Sequence, residues 1–153
     1  MIPPLRGSLL RLRADKPRPP LPARSRSGVQ SIMPKLTPGL GGAGTAACSG
    51  DMLLGALSAC AQLTCQMVAA AMGIPTEHIE VAVEGDLDLR GTLGIARDVP
   101  VGFERIRIRF DIDAPKATSE QLRSLQEKTE QYCVVMQTLV QPPRLQSDWV
   151  NSR

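Results

Sequence analysis

Aromatic side chains are almost missing from this sequence: one Trp, one Tyr and two Phe among 153 residues. The core must therefore be aliphatic, built from Leu, Val, Ile, Ala and Met. Histidine is as scarce. The single His78 is not close in sequence to any of the four cysteines, Cys48, Cys60, Cys65 and Cys133, and no Cys-x-x-Cys pair occurs. Zinc sites gather ligands in closely spaced pairs, so no metal is expected. Near the N-terminus there is no apolar run followed by a small-residue cleavage site, so no secretory leader is expected. The default compartment is the cytoplasm, where thiols stay reduced unless they are used.

What is present is unevenly distributed. Residues 1–40 carry eight of the 18 basic residues against one acid, Asp15, and eight of the 13 prolines. Proline removes donors from helices and sheets, and few apolar residues remain there to build a core. Residues 1–37 read as a basic arm, disordered or an atypical N-terminus, and residues 38–153 as one domain. Charge alone would allow contact with nucleic acid or an acidic membrane. No ring interleaves the basic residues to stack on bases, and neither partner is expected. Gly39-Leu-Gly-Gly-Ala-Gly44 lacks the Walker lysine and a preceding strand, so it reads as a flexible entry loop.

Beyond the loop the pattern becomes regular. Asp51 to Met72 reads as one helix, with Asp51 at its positive end and Gly73-Ile-Pro75 as the stop. Its apolar residues, Leu53, Leu54, Leu57, Ala61, Leu63, Val68, Ala69 and Met72, cover nearly every face, which predicts a buried helix. Its length also fits a membrane span. Gln62, Thr64 and Gln66 at its middle, and the sheet-like sequence that follows, favour a protein core. Residues 78–90 alternate, with Ile79, Val81, Val83, Leu87 and Leu89 on one side and acids on the other. Residues 103–113 alternate Ile106, Ile108, Phe110 and Ile112 with Arg105, Arg107, Arg109 and Asp111. The exposed acids of the first strand suit the bases of the second. Thr118-Ser-Glu-Gln121 has capping-box spacing and opens a helix with Leu122, Leu125 and Tyr132 inward. That helix delivers Cys133, and Trp149 is expected to dock on the body. The order is helix, strand, strand, helix, an α+β class.

Two thiols stand out. Cys60 lies in the apolar helix and Cys133 after the amphipathic one. Cys60 and Cys65 point to different sides of a regular helix and cannot easily be bridged. An intramolecular partner for Cys60 would be Cys133 or, as runner-up, Cys48. The plain alternative is that these are small core residues. A thiol becomes a nucleophile only as thiolate, which needs a cation, a helix N-terminus or a metal nearby.

The run Ala47-Cys-Ser-Gly-Asp51-Met-Leu-Leu-Gly-Ala-Leu-Ser-Ala-Cys60-Ala resembles the central-helix motif of the OsmC/Ohr proteins, the osmotically inducible and organic hydroperoxide resistance proteins. Tyr132-Cys133-Val-Val-Met-Gln-Thr-Leu139 resembles their second motif, and the two-strand interval between the motifs also matches. The resemblance covers roughly residues 38–145. It implies a long central helix on an antiparallel sheet, a second Cys-bearing helix and an intertwined homodimer. It also implies a thiol peroxidase without metal or cofactor. Cys60 would be the peroxidatic thiol and Cys133 the resolving one. The substrates would be organic hydroperoxides and the reductant a dithiol such as a lipoyl group. Asp51 stands near the position of the family's acidic partner. Arg24 and Arg26 are candidates for the family's thiolate-stabilising arginine. The alternative is a catalytically weak member that binds an apolar ligand or serves only as a structural dimer.

Overall fold

The computed structural model describes residues 8–11 and 48–151. Apart from Ser8–Arg11, the arm at 1–37, with Arg24 and Arg26, lies outside the described residues. So does the glycine-rich loop. Strand β1 (Ser8–Arg11), β2 (His78–Asp86) and β3 (Arg105–Asp113) form an antiparallel sheet in the order β1-β2-β3. Strand β1 corrects the reading of residues 1–37 as an arm without structure. Four residues are too short to show a period, and as an edge strand β1 needs only backbone partners, which Ala82–Gly85 provide.

In β2, Ile79, Val81 and Val83 are buried, while Glu80, Glu84 and Asp86 lie on the opposite face. Glu84 lies opposite Arg107 and Asp86 opposite Arg105, as the charge pattern predicts, but Glu80 lies opposite Asp111. The close ion pair is diagonal, Arg107 to Asp86 at 2.6 Å. The inward side chains of β3 are only half-buried because β3 is the other edge of the sheet. Leu87 and Leu89 do not extend β2. Asp88 Oδ1 accepts the Arg90 N–H at 2.9 Å and caps the short helix α2 (Leu89–Thr92), which ends the strand at Asp86. The Phe103 ring lies over Gly85, where a Cβ would stand 2.6 Å from it, so only glycine fits this approach.

Helix α1 (Ser49–Ala71) starts two residues before Asp51. Cys48 is the N-cap and Asp51 the third helical residue. The Cys48 N–H donates to Asp51 Oδ2 at 3.0 Å, and the Asp51 N–H donates to Cys48 Sγ at 3.5 Å. At the other end, Gly73 adopts φ +65°, the left-handed conformation that glycine supplies past a helix C-terminus. Leu54, Leu57, Ala61, Cys65 and Ala69 are buried, and α1 packs against β2. Each fully buried leucine contributes about 1.5–3 kcal/mol.

Two polar side chains share that buried face. The Ser58 hydroxyl donates to the Val81 carbonyl at 2.7 Å, and the Gln62 amide donates to the Ile79 carbonyl at 3.1 Å. Both carbonyls lie beyond the part of β2 that β1 covers. α1 is long and apolar enough to cross a membrane, with a mean hydropathy of 1.5, yet Ser58 and Gln62 on its buried face are fitted to this sheet. The expected burial on nearly every face is corrected: Leu53, Leu63 and Met67 are exposed, because one sheet layer covers one side of a helix.

Helix α3 (Ser119–Tyr132) carries the expected capping box, with the Gln121 N–H donating to Thr118 Oγ1 at 3.2 Å and the Thr118 N–H donating to Gln121 Oε1 at 2.9 Å. α3 leans on α1 along a single row of Leu125, Thr129 and Cys133, spaced by four. Leu122 and Tyr132 are therefore exposed rather than inward. Helix α4 (Val134–Val140) follows directly. Trp149 is 90% exposed and does not dock on the body. Pro142 and Pro143 follow α4, and residues 142–151 run on without helix or strand.

Candidate functional site

The fold brings Cys60 and Cys133 together. Cys60 sits about three turns into α1, half-buried and packed against the core that includes Cys133. Cys133 is fully buried at the break between α3 and α4. Its N–H donates to the Thr129 carbonyl at 3.0 Å and closes α3. Its own carbonyl accepts the Gln137 N–H at 2.9 Å and opens α4. Between these two bonds its backbone is extended, with φ −71° and ψ 106°.

That break sets the local electrostatics. The first N–H groups of a helix have no partner within the helix, and α4 has no side-chain cap. They reach the sulfurs instead. Burial pushes the Cys60 thiol up. The Val135 N–H, the Cys133 thiol, the Thr64 hydroxyl and the Val134 N–H all favour its thiolate, and the balance leaves Cys60 below the ordinary thiol value. Thr64 lies one turn on, and its single hydroxyl proton is shared with the Cys60 carbonyl, which accepts it at 2.8 Å. Cys133 moves the other way: burial pushes it up, the Met136 N–H pulls against that, and the neighbouring Cys60 adds to the rise. One thiol is disposed to ionise and the other to keep its proton, with a hydrogen bond between them.

The other two cysteines have different surroundings. Cys65 is buried on the sheet side of α1, and burial pushes its thiol up, partly offset by the Thr129 hydroxyl. Cys48 caps α1, twelve residues before Cys60, about 18 Å along the axis at 1.5 Å per residue. Within one chain it cannot pair with Cys60. Asp51 is bound into the same cap, about 13.5 Å from Cys60 by the same rise. Among the described residues no group of His, Cys, Asp and Glu is arranged to hold a metal.

The residue reading located both thiols but not what surrounds Cys60. Thr64, four residues on, was visible as a neighbour on the same helix face. The donors at Val134 and Val135 were not, because a backbone N–H becomes available only where a helix is interrupted. The sequence offers no glycine or proline there to mark the break.

A family model for OsmC-like proteins matches residues 42–148. Among solved structures, the fold is similar to an OsmC-like protein from Mycoplasma pneumoniae. The TM-score is 0.55 at 20% identity, covering 63% of this chain and 64% of that one. It is also similar to a protein from Legionella pneumophila described as an organic hydroperoxide resistance protein OsmC, predicted redox protein and regulator of sulfide bond formation. Here the TM-score is 0.51 at 17% identity, covering 69% of this chain and 70% of that one. The chain thus spans somewhat less than two thirds of the Mycoplasma protein. A search of curated proteins found no match. Both motifs, the helix-on-sheet architecture and the family match over most of the chain agree: it belongs to the OsmC-like protein family.

Proposed function

We propose that the chain reduces organic hydroperoxides through Cys60 and Cys133. The observation that carries this reading is the placing of two thiols at the α3–α4 break, the half-buried Cys60 of α1 packed against the core that holds the buried Cys133; a lowered Cys60 and a raised Cys133 agree with it. The Cys60 thiolate attacks the terminal oxygen of the hydroperoxide. The O–O bond breaks, Cys60 becomes a sulfenic acid, and the alkoxide leaves as an alcohol after taking a proton. Cys133 then gives its proton to the sulfenic oxygen as its sulfur attacks Cys60, so that water leaves and the Cys60–Cys133 disulfide forms. A dithiol, of which a lipoyl group is one example, supplies the two electrons that reopen it. The working compartment in this reading is the cytoplasm.

A homodimer belongs to the same reading. Leu53, Leu63 and Met67 leave an apolar face on α1, and Leu145, Trp149 and Val150 leave another beyond α4. Asp51 can act on a Cys60 only across such a dimer, because within one chain the length of the helix separates them.

The test is a thiol count. One equivalent of cumene hydroperoxide added to the reduced protein should remove two of the four thiols, with peptide mapping placing the disulfide between Cys60 and Cys133. Cys60→Ser should consume no peroxide. Cys133→Ser should stop after one turnover at a dimedone-reactive sulfenate. Retention of all four thiols in the native protein would refute the peroxidase reading and leave a structural or ligand-binding OsmC-like dimer.

A further inference from the structure

We infer that Gln137 is a positioning residue for Cys60: its side-chain amide takes the place, at the Glu130 carbonyl, of the backbone N–H that the helix break turns toward the reactive sulfur. This rests on the reading of Cys60 as the reacting thiol. In an uninterrupted helix the N–H of Val134 would donate to the carbonyl of Glu130, and that of Val135 to the carbonyl of Gln131. The extended backbone at Cys133 prevents this, and both N–H groups favour the Cys60 thiolate instead. The Glu130 carbonyl is left without its helical donor, and an unpaired carbonyl favours any rearrangement that returns one. The Gln137 Nε2 group donates to that carbonyl at 2.8 Å. The Gln137 backbone is meanwhile fixed by its own N–H donating to the Cys133 carbonyl at 2.9 Å. One residue thus closes the break from both ends.

The alternative to this arrangement is a straighter α3–α4 helix. There Val134 and Val135 would return their N–H groups to the carbonyls of Glu130 and Gln131, and Cys60 would lose both donors, Val135 being the stronger. Gln137 holds the balance on the bent side. Its effect on Cys60 passes through Glu130 and these two N–H groups.

The test uses the full reduced chain and the pH dependence of Cys60 alkylation by iodoacetamide, read by peptide mass spectrometry with no peroxide present. Gln137→Leu removes the amide donor, and Gln137→Glu sets a carboxylate against the carbonyl. Gln137 is half-exposed, so neither change opens a cavity. Both variants should slow Cys60 alkylation at pH 7 by about tenfold and move its half-point upward by about one unit, with Cys48 unchanged. Gln126→Leu is the control. It removes the Gln126–Glu130 side-chain bond of 3.0 Å on the same turn while leaving the Glu130 carbonyl alone, and it should leave Cys60 unmoved. Cys60 rates within twofold of the native value in both Gln137 variants would overturn the inference, as would an equal loss in Gln126→Leu. A Gln137-dependent thiolate in a protein that consumes no hydroperoxide would refute the proposed function alone. Peroxide reduction with a Gln137-independent thiolate would refute this inference alone.

Discussion

Replacing Cys133 by alanine and by serine should move Cys60 in different ways, and the difference measures what Cys133 does before any disulfide forms. In the resting protein the Cys133 thiol is one of the donors that favour the Cys60 thiolate, ranking after burial and the Val135 N–H in its effect. A hydrogen bond to a charged group is worth about 1.5–3 kcal/mol when well formed. A thiol is a weak donor and Cys60 is only half-buried, so about 0.7 kcal/mol is a reasonable discount. That is roughly half a pKa unit at 1.36 kcal/mol per unit. Cys133→Ala should therefore raise the Cys60 half-point by about 0.5 and slow its alkylation at pH 7 about threefold. Cys133→Ser keeps a donor, and a stronger one, so Cys60 should stay where it is or fall. The assay is iodoacetamide alkylation followed across pH 5–10, with Cys60 resolved by mass spectrometry. If alanine and serine shifted Cys60 equally, or alanine lowered it, the hydrogen bond between the thiols would not exist in solution.

Other perturbations test the frame around the site. Ser58→Ala leaves the Val81 carbonyl buried without the donor it has at 2.7 Å; urea unfolding should show a loss of about 1–3 kcal/mol, and a loss below 0.3 kcal/mol would mean that water reaches the carbonyl. Gly85→Ala sets a Cβ 2.6 Å from the Phe103 ring; about 1–3 kcal/mol should be lost, as for other overpacked cores, and Phe103→Leu in the same chain should restore part of it. The last prediction concerns pH. Burial raises Cys65, so the folded chain holds that proton more tightly than the unfolded one. The stability linked to it is complete below the ordinary thiol value of about 8.5 and is lost as pH rises through the raised folded value. Cys65→Ala should flatten the fall in thermal midpoint above pH 9, and an unchanged slope would show that Cys65 does not titrate there.

Much of this architecture could be read from the residues because it depends on local periodicity. The alternation in β2 and β3 is a property of the backbone pleat, so a run of nine residues reveals it. The capping box at Thr118–Gln121 and the glycine stop at Gly73 are likewise decided within one turn. Strand β1 is different: Ser8–Arg11 has no pattern of its own and exists by pairing with Ala82–Gly85. The readings that did not hold share a cause. Leu122, Tyr132 and Trp149 are apolar, and hydropathy assigned them to a core. Whether an apolar side chain is covered depends on what stands opposite it, and among the described residues these three stay exposed.

By itself the sequence determined that two thiols ride on two helices separated by a pair of strands, that the core is aliphatic, and that the motifs are those of the OsmC-like family. Only the tertiary structure decided that Cys60 meets Cys133 rather than Cys48, that Asp51 serves the cap of its own helix, and that the donors around Cys60 include backbone N–H groups freed at a helix break. The physical reason is one of range. Helix and strand signals come from neighbours within a few residues. The acidity of a sulfur depends on every dipole within a few ångströms, and those dipoles come from segments that meet only when the chain has folded.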